Sequence, residues 1–282
     1  MKLMSFRTAT NRSWGVFQDD NVVDVGAVLG STHPDLRSVV AADAYIEVRE
    51  AARAAPRVPV ADIEWLPPIE NPAKILCIGL NYEDHRRETG RQESRHPAIF
   101  TRVADSQIGH RADLLRPRVS QDLDYEGELA IVIGRGGRYI DRDSAMDHVA
   151  GYSCYDDATL RDWQRHTHQF TPGKNFPGTG SFGPFLVTRD EIPDYRTLHL
   201  TTRVNGHLVQ SAGLDQLIFP IPELIAYCSS FTPLSPGDVI ATGTPGGVGF
   251  KRNPQLFLKP GDLVEVEITG VGKLINGVAQ EE

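Results

Sequence analysis

Four acidic residues occupy alternate positions at the start of the segment DLDYEGELAIVI: Asp122, Asp124, Glu126 and Glu128. Residues two positions apart in a strand share a face, so we expect the four carboxylates on one side, where burial would strengthen their repulsion. A bound divalent cation removes that repulsion, and oxygen ligation without sulfur suits Mg²⁺, Mn²⁺ or Ca²⁺ better than zinc. The alternative is an edge strand whose acidic face is solvated. The apolar run AIVI argues against it, because it places Glu128 at or inside the margin of the core.

A second acidic pair lies in the segment CYDDATLRDWQ, where Asp156 and Asp157 end a strand-like run and precede a helix-like one. Either aspartate could cap that helix, because a carboxylate accepts hydrogen bonds from the free backbone N–H groups of a first helical turn. A loop at the end of a strand is also a place from which a third carboxylate can reach the first two. We therefore predict a metal site built from Glu126, Glu128 and one of these aspartates.

The elements that must position these residues are mostly strands. Strand-like runs lie at 22–28, 74–80, 128–134, 148–155, 185–188, 198–206, 238–244 and 263–268. Helix-like patterns are fewer and lie at 35–54, 81–88, 158–167 and 221–231. Because the strands outnumber the helices and do not alternate with them, a repeated βαβ sheet is disfavoured. The sequence predicts a β-rich α+β fold.

A domain boundary is predicted near WLPPIENP at 65–72, where the prolines interrupt both helix and strand. The 282 residues are enough for one large domain, or for a main domain with a small appendage. We predict that 1–70 form a small N-terminal α+β module and that 71–282 form the main, catalytic domain.

Charge and composition disfavour several classes of function. The formal net charge of −8 disfavours non-specific binding to nucleic acids and anionic membranes. No apolar run approaches the roughly 20 residues of a membrane span, and the N-terminus shows no signal-peptide pattern. The three cysteines, Cys77, Cys154 and Cys228, are too far apart for a zinc or redox motif, so a reducing cytoplasm is the expected compartment.

Several motifs together resemble those of the fumarylacetoacetate hydrolase family. In chain order they are NYEDHRRE, DYEGELAIVIG, GYSCYDDATLRDWQ, GKNF, ATGTPGGVG and LKPGDLVEVEI, and the resemblance covers roughly 72–282. It implies a mixed β-sheet rolled around the active site, and a homodimer. Residues 1–70 resemble the variable N-terminal extension of bacterial members.

The resemblance also implies a Mg²⁺ or Mn²⁺ ion held by Glu126, Glu128 and Asp157, with Ca²⁺ able to take its place in crystals. Asp156 stands where the family has asparagine, which would add a charge beside the metal. Lys174 matches the family lysine in the GKNF motif, and His85 and Glu88 match the histidine and glutamate of the D-H-x-x-E helix.

Four further residues are expected to contact the substrate. Gln164 and Thr244 match family positions in the RDWQ and GTP segments. Arg102 stands where many members have lysine, and arginine there could bind a substrate carboxylate through two hydrogen bonds. His168 stands where some members have a tyrosine that contacts substrate, so this loop is expected to set specificity.

The function implied by the resemblance is a Mg²⁺- or Mn²⁺-dependent hydrolase that cleaves a C–C bond in a 2,4-dioxo acid. Examples are acylpyruvates such as fumarylpyruvate, or diketo-deoxy sugar acids, with release of pyruvate in aromatic or sugar-acid catabolism. His85 would be the general base for a water, oriented by Glu88, and Lys174 would stabilise developing negative charge. Two alternatives stay open: a 2-oxo acid decarboxylase, isomerase or hydratase on the same scaffold, and a non-catalytic ligand-binding protein.

Overall fold

The computed structural model describes residues 1–282. Its strands are β1 (Lys2–Arg7), β2 (Arg12–Gln18), β3 (Asn21–Val23), β4 (Arg57–Pro59), β5 (Glu64–Leu66), β6 (Ile75–Gly79), β7 (Ala98–Arg102), β8 (Gln107–Ile108), β9 (Leu114–Arg116), β10 (Leu123–Asp124), β11 (Gly127–Ile133), β12 (Val149–Asp157), β13 (Thr159–Leu160), β14 (Gly180–Thr188), β15 (His199–Val204), β16 (His207–Gly213), β17 (Val239–Ala241), β18 (Leu263–Ile268) and β19 (Gly272–Gln280). Its α-helices are α1 (Gly26–Leu29), α2 (Leu36–Ala42), α3 (Tyr45–Ala51), α4 (Glu83–Glu88), α5 (Arg161–Gln164), α6 (Thr171–Lys174) and α7 (Ile221–Phe231). The predicted β-rich fold class is confirmed.

Two mixed sheets form the body of the protein. The larger has the order β4-β3-β2-β1-β14-β12-β11-β17-β6-β7, with β5 also paired to β1 and β8 to β14. The smaller has the order β16-β15-β18-β19-β9. Most neighbours are antiparallel, but three pairs are parallel: β17 with β6, β14 with β8, and β19 with β9. A separate two-stranded ladder joins β10 to β13.

Strand β11 is buried on both faces because its side chains alternate between two apolar clusters. Leu129 and Ile131 pack in the cluster that also holds Leu200 and Ile268 of the smaller sheet. Ala130 and its neighbour two positions on lie in a second cluster on the opposite face. This explains why the segment reads as an uninterrupted apolar run.

Residues 1–70 share both the large sheet and its core with the rest of the chain. Strand β1 pairs antiparallel with β14, with Leu3 opposite Leu186. Helices α2 and α3 place Val39 and Val48 in the same buried cluster as Val132 of β11. The N-terminal segment is therefore one edge of the sheet on which the central strands lie.

The helices are shorter than the sequence pattern predicts, with one exception. The helix predicted at 35–54 divides into α2 and α3 because Asp43 adopts a left-handed backbone with φ of 52°. The helix predicted at 158–167 is confined to α5, because 159–160 pair with β10 as a strand. Helix α7 matches its predicted bounds. None of the helices combines the length and the apolar composition that crossing a membrane requires.

We expect Leu36→Ala to destabilise the whole chain, because Leu36 is fully buried in the cluster shared by α2 and the central strands. Removing a buried leucine side chain typically costs about 2–5 kcal/mol. Urea unfolding, followed by tryptophan fluorescence and far-UV circular dichroism, should show one transition at a lower midpoint.

The matched control is Ile46→Ala on the neighbouring helix, where the side chain is 70% exposed. This change should alter the free energy of unfolding by no more than about 0.5 kcal/mol. Two separate transitions, of which Leu36→Ala shifts only one, would contradict the shared core.

Candidate metal centre and active-site cavity

Three buried carboxylates converge where β11 and β12 lie side by side. One ligand oxygen from each of Glu126, Glu128 and Asp157 lies within 4.8 Å of the others. Antiparallel pairing sets Glu128 opposite Tyr155, and the Asp157 N–H donates to the Glu126 carbonyl at 2.9 Å. The ladder thus brings together side chains about 30 residues apart in sequence, and the predicted metal triad lies in one place.

Buried cations compensate two of the three carboxylates. Lys174 Nζ lies 2.5 Å from both Glu126 Oε2 and Asp157 Oδ2. Arg161 Nη2 lies 2.6 Å from Glu126 Oε1. Burial opposes ionisation of Glu126, but attraction by Arg161 and Lys174 outweighs it, so the pKa of Glu126 is lowered.

Glu128 lacks a cationic partner. Its Oε2 accepts one hydrogen bond, from the Gly243 N–H at 2.8 Å. Burial, followed by repulsion from Asp157 and Glu126, raises the pKa of Glu128 well above its usual range. The cluster is therefore deficient in positive charge at Glu128.

The donor set fits a hard divalent cation. All three candidate ligands are carboxylate oxygens, which Mg²⁺ and Mn²⁺ prefer and zinc does not require. A doubly charged ion would relieve the repulsion of Glu128 by Glu126 and Asp157. Glu126, Glu128 and Asp157 are the residues that would hold it.

The expectation that four acids share one strand face is wrong. The strand is interrupted at Tyr125 and Glu126, between β10 and β11, so the regular alternation does not continue through the row. Asp122 is exposed. Asp124 is buried and pairs with Arg161 Nε at 2.8 Å, away from the three-carboxylate cluster.

Asp156 lies outside the carboxylate cluster, because successive strand residues point to opposite faces. Its Oδ1 accepts a hydrogen bond from the Glu126 N–H at 2.8 Å, whereas its Oδ2 is buried without a partner. Burial raises the pKa of Asp156 to about 7. The carboxyl group of Asp156, predicted to add a charge beside the metal, instead accepts a hydrogen bond from the backbone of Glu126.

His85 and Glu88 form the expected pair on α4. His85 Nδ1 lies 2.8 Å from Glu88 Oε1, and Glu88 Oε2 accepts from the Gly247 N–H at 3.0 Å. Gly247 has a φ of 103°, and a Cβ there would lie 2.2 Å from the Val209 carbonyl oxygen. Only glycine fits this turn, so the TPGG segment fixes the carboxylate that orients the imidazole.

Arg102 is not placed to contact substrate as predicted. Its buried guanidinium pairs with Asp157 Oδ1 and donates to Thr179 Oγ1 at 2.7 Å and to the Ala158 carbonyl at 3.2 Å. These contacts use its hydrogen-bonding capacity behind the metal triad. Arg102 therefore holds Asp157, and a substrate carboxylate has no access to it.

A cavity of about 820 Å³ opens in front of the triad. The predicted site residues on its wall are His85, Glu126, Glu128, Gln164, His168, Lys174 and Thr244. Glu88, Arg102 and Asp157 are not on that wall. Thr244 Oγ1 donates to the Gly127 carbonyl at 3.0 Å, so its proton is already engaged.

Comparison with known proteins gives a family assignment. The family model described as fumarylacetoacetate (FAA) hydrolase, C-terminal, matches residues 74–279. The chain belongs to the fumarylacetoacetate hydrolase family. The resemblance predicted from the motifs is therefore confirmed.

Relatives within the fumarylacetoacetate hydrolase family differ in the reactions that their names give. Oxaloacetate tautomerase FAHD2B, mitochondrial, of Bos taurus is 43% identical over 82% of this chain and 74% of its own length. The crystal structure of a fumarylacetoacetate hydrolase from Exiguobacterium antarcticum is 34% identical, with a TM-score of 0.88 over 100% of both chains. Maleylpyruvate hydrolase from Sphingobium sp. SYK-6, in complex with manganese(II) and pyruvate, is 28% identical, with a TM-score of 0.84 over 100% of both chains.

Two features of this fumarylacetoacetate hydrolase-family site were missed in the sequence. Arg161 lies in the quoted RDWQ segment, but nothing local shows that it pairs with both Asp124 and Glu126. Gly243 has a φ of 103° and donates its N–H to Glu128. Its position in the glycine-rich ATGTPGG motif was the one available signal.

We expect Glu128→Gln to weaken Mg²⁺ binding at least about 100-fold. Loss of a residue that only supports a metal ligand costs about 10–100-fold in affinity, and loss of a ligand itself should cost at least as much. In the parent, the pKa of Glu128 is raised, so a cation competes with a proton for this carboxylate and affinity should fall as pH falls. Titration calorimetry in two buffers of different ionisation enthalpy measures both effects.

The matched control for the metal measurement is Glu50→Gln, an exposed acid far from the cluster, which should leave Mg²⁺ affinity unchanged. Mg²⁺ binding by Glu128→Gln that equals that of the parent would show that Glu128 is not a ligand.

We expect Asp156→Asn to stabilise the metal-free protein at alkaline pH. The folded protein retains a proton on Asp156 up to about pH 7, whereas the unfolded chain releases it near the ordinary pKa of 3.8. The parent's free energy of unfolding therefore falls as pH rises from about 4 to about 7. At pH 8 the variant should be more stable, on the order of 1–3 kcal/mol.

The Asp156→Asn comparison is made by urea unfolding in the presence of EDTA between pH 4 and pH 8. The gain in stability should shrink toward pH 4, where Asp156 is protonated in the folded protein and only partly ionised in the unfolded chain. Parallel pH profiles for parent and variant would contradict the raised pKa.

Proposed function

We propose that this protein is a divalent-metal-dependent enzyme of 2-oxo acids that works by proton transfer next to the 2-oxo group. The observation that carries the proposal is the position of His85. Its imidazole is supported by Glu88 and shares one cavity wall with Glu126 and Glu128. A proton-transfer base and a carboxylate metal site would thus face the same molecule when it is bound in the cavity.

The hydrogen bond to Glu88 defines the tautomer of His85. A carboxylate only accepts, and its other oxygen is already bonded to the Gly247 N–H, so the proton of a neutral imidazole lies on Nδ1. Nε2 is then the free, basic nitrogen. It is the atom that would remove a proton from substrate or from water and later return it.

Lys174 has two roles in this proposal. It neutralises Glu126 and Asp157, and it also lines the cavity. A positive charge at that wall would stabilise negative charge that develops on a bound 2-oxo acid. When bound, a Mg²⁺ or Mn²⁺ ion would supply Lewis-acid stabilisation of the enolate.

The first candidate reaction is keto–enol tautomerisation of oxaloacetate. In this reaction a proton leaves carbon 3 and another reaches the oxygen on carbon 2, and no C–C bond is broken. The named activity of a relative that is 43% identical over 82% of this chain favours it. His85 would carry the proton at carbon 3.

The second candidate is hydrolysis of a C–C bond in a 2,4-dioxo acid. Here His85 would take a proton from water, the hydroxide would attack the distal carbonyl, and the enol of pyruvate would leave. The cavity volume of about 820 Å³ leaves room for an acyl tail, and a solved relative is a maleylpyruvate hydrolase. Loss of CO₂ from oxaloacetate is a further outcome on the same scaffold.

The test is a substrate panel with the Mg²⁺-loaded protein: oxaloacetate, acetylpyruvate, fumarylpyruvate and diketo-deoxy sugar acids. Loss of enol absorbance without pyruvate release would show tautomerisation, and one pyruvate per diketone consumed would show hydrolysis. Turnover of none of these acids would contradict the proposal and favour a non-catalytic binding protein.

We expect His85→Gln to lower kcat by about 10²–10⁴-fold, because it removes the proton-transfer base. Calorimetry should show unchanged Mg²⁺ affinity, which separates loss of chemistry from loss of the site. His207→Gln, a change of an exposed histidine away from the cavity, is the control and should leave kcat unaltered. Equal turnover by His85→Gln and the parent would remove His85 from the mechanism.

A further inference from the structure

The ring of Phe250 has three cationic side chains around it on the cavity wall. The guanidinium carbon of Arg161 lies 4.3 Å from the ring centroid and that of Arg165 lies 4.8 Å away. Lys251 Nζ lies 5.2 Å from the same centroid. All four residues line the active-site cavity. Such contacts orient cations, because the face of an aromatic ring carries partial negative charge.

Helix α5 and the buried carboxylate of Asp124 position Phe250 and the cations around it. Arg161 and Arg165 are four positions apart at α5, so they lie on one face of its turn. Asp124 accepts from the Phe250 N–H at 3.1 Å and from Arg161 Nε at 2.8 Å. It therefore fixes the ring and the inner cation relative to each other, beside Glu126.

The three cations differ in what they already bind. Arg161 is fully buried and neutralises Asp124 and Glu126. Arg165 and Lys251 are exposed to the cavity mouth and form no ion pair within the chain. Their charges are available to a ligand.

No acid forms a salt bridge with either of these two charges. Glu126 and Glu128, in the metal cluster, are the only acidic residues on the cavity wall. Burial raises the pKa of Asp122, Asp162 adds to the rise and Arg165 opposes it, yet Arg165 makes no salt bridge with either aspartate. The mouth is positive, whereas the floor carries the carboxylates.

We propose that Arg165 and Lys251, held beside Phe250, bind the second carboxylate of a 2-oxo dicarboxylic acid. This subsite rests on the proposed function, since the 2-oxo end of the same molecule would occupy the floor near Glu128. The rings of Phe250 and Phe170 on the wall would contact the carbon chain between the two ends. The preferred substrates are dicarboxylic acids rather than 2-oxo acids with a neutral tail.

The test compares binding of two six-carbon acids to the Mg²⁺-loaded protein by calorimetry. 2-Oxoadipate carries a second carboxylate, and 2-oxohexanoate has the same length without it. Because two partly exposed ion pairs are involved, the parent should bind 2-oxoadipate about five- to tenfold more tightly. The preference should shrink as salt is raised from 50 to 500 mM, because salt screens exposed charges.

The decisive variant is the double substitution Arg165→Gln with Lys251→Gln. It should remove the preference, so that 2-oxoadipate and 2-oxohexanoate bind with about equal affinity. The affinities for 2-oxohexanoate and for oxalate should stay unchanged. The control, Arg53→Gln with Lys259→Gln, removes two exposed cations elsewhere and should keep the parental preference.

The outcomes separate the subsite from the proposed function. If both six-carbon acids bind the parent equally, or the double variant keeps the preference, the subsite is overturned while 2-oxo acid binding stands. If neither acid nor oxalate binds the parent, the proposed function and the subsite are both overturned.

Discussion

The site depends on the compensation of buried negative charge. Below about pH 7, where Asp156 keeps its proton, four buried carboxylates remain to be compensated, those of Asp124, Glu126, Glu128 and Asp157. They face three buried cations: Arg102, Arg161 and Lys174. When all are ionised, one negative charge remains in excess, on the side of Glu128. A divalent cation would change this to one positive charge in excess, which the carboxylate of a bound 2-oxo acid would neutralise. The same electrostatic requirement would thus account for a divalent metal and for an anionic substrate.

The glycine-rich segment at 242–247 and the acid Asp124 carry this requirement into the shape of the cavity. The N–H groups of Gly243 and Gly247 donate to Glu128 and Glu88, so one short loop positions both a candidate metal ligand and the partner of His85. Asp124 binds Arg161 and the backbone of the turn at Phe250. Hydrogen bonds from this loop and from Asp124 therefore connect the carboxylate cluster, the His85–Glu88 pair and the cavity mouth.

Much of the fold was predictable where a pattern is local. The apolar run of β11 predicts a buried strand, and α7 has its predicted bounds, because periodicity and proline position are read from neighbouring residues. The division of the predicted helix 35–54 and the interruption of the acidic row were not predictable. A left-handed residue at Asp43 divides the helix, Tyr125 and Glu126 interrupt the strand, and tertiary packing outweighs the local pattern at both places.

The sequence by itself determined the types of ligand, the E-x-E spacing, the His85–Glu88 pair and the family, because each is a property of adjacent residues or of ordered motifs. Only the tertiary structure decided that Arg102 binds Asp157 instead of substrate, and that Asp156 supports the backbone of Glu126. The physical reason is that an ion pair depends on distance in space. Arg102 and Asp157 are 55 positions apart, so no spacing along the chain specifies their contact.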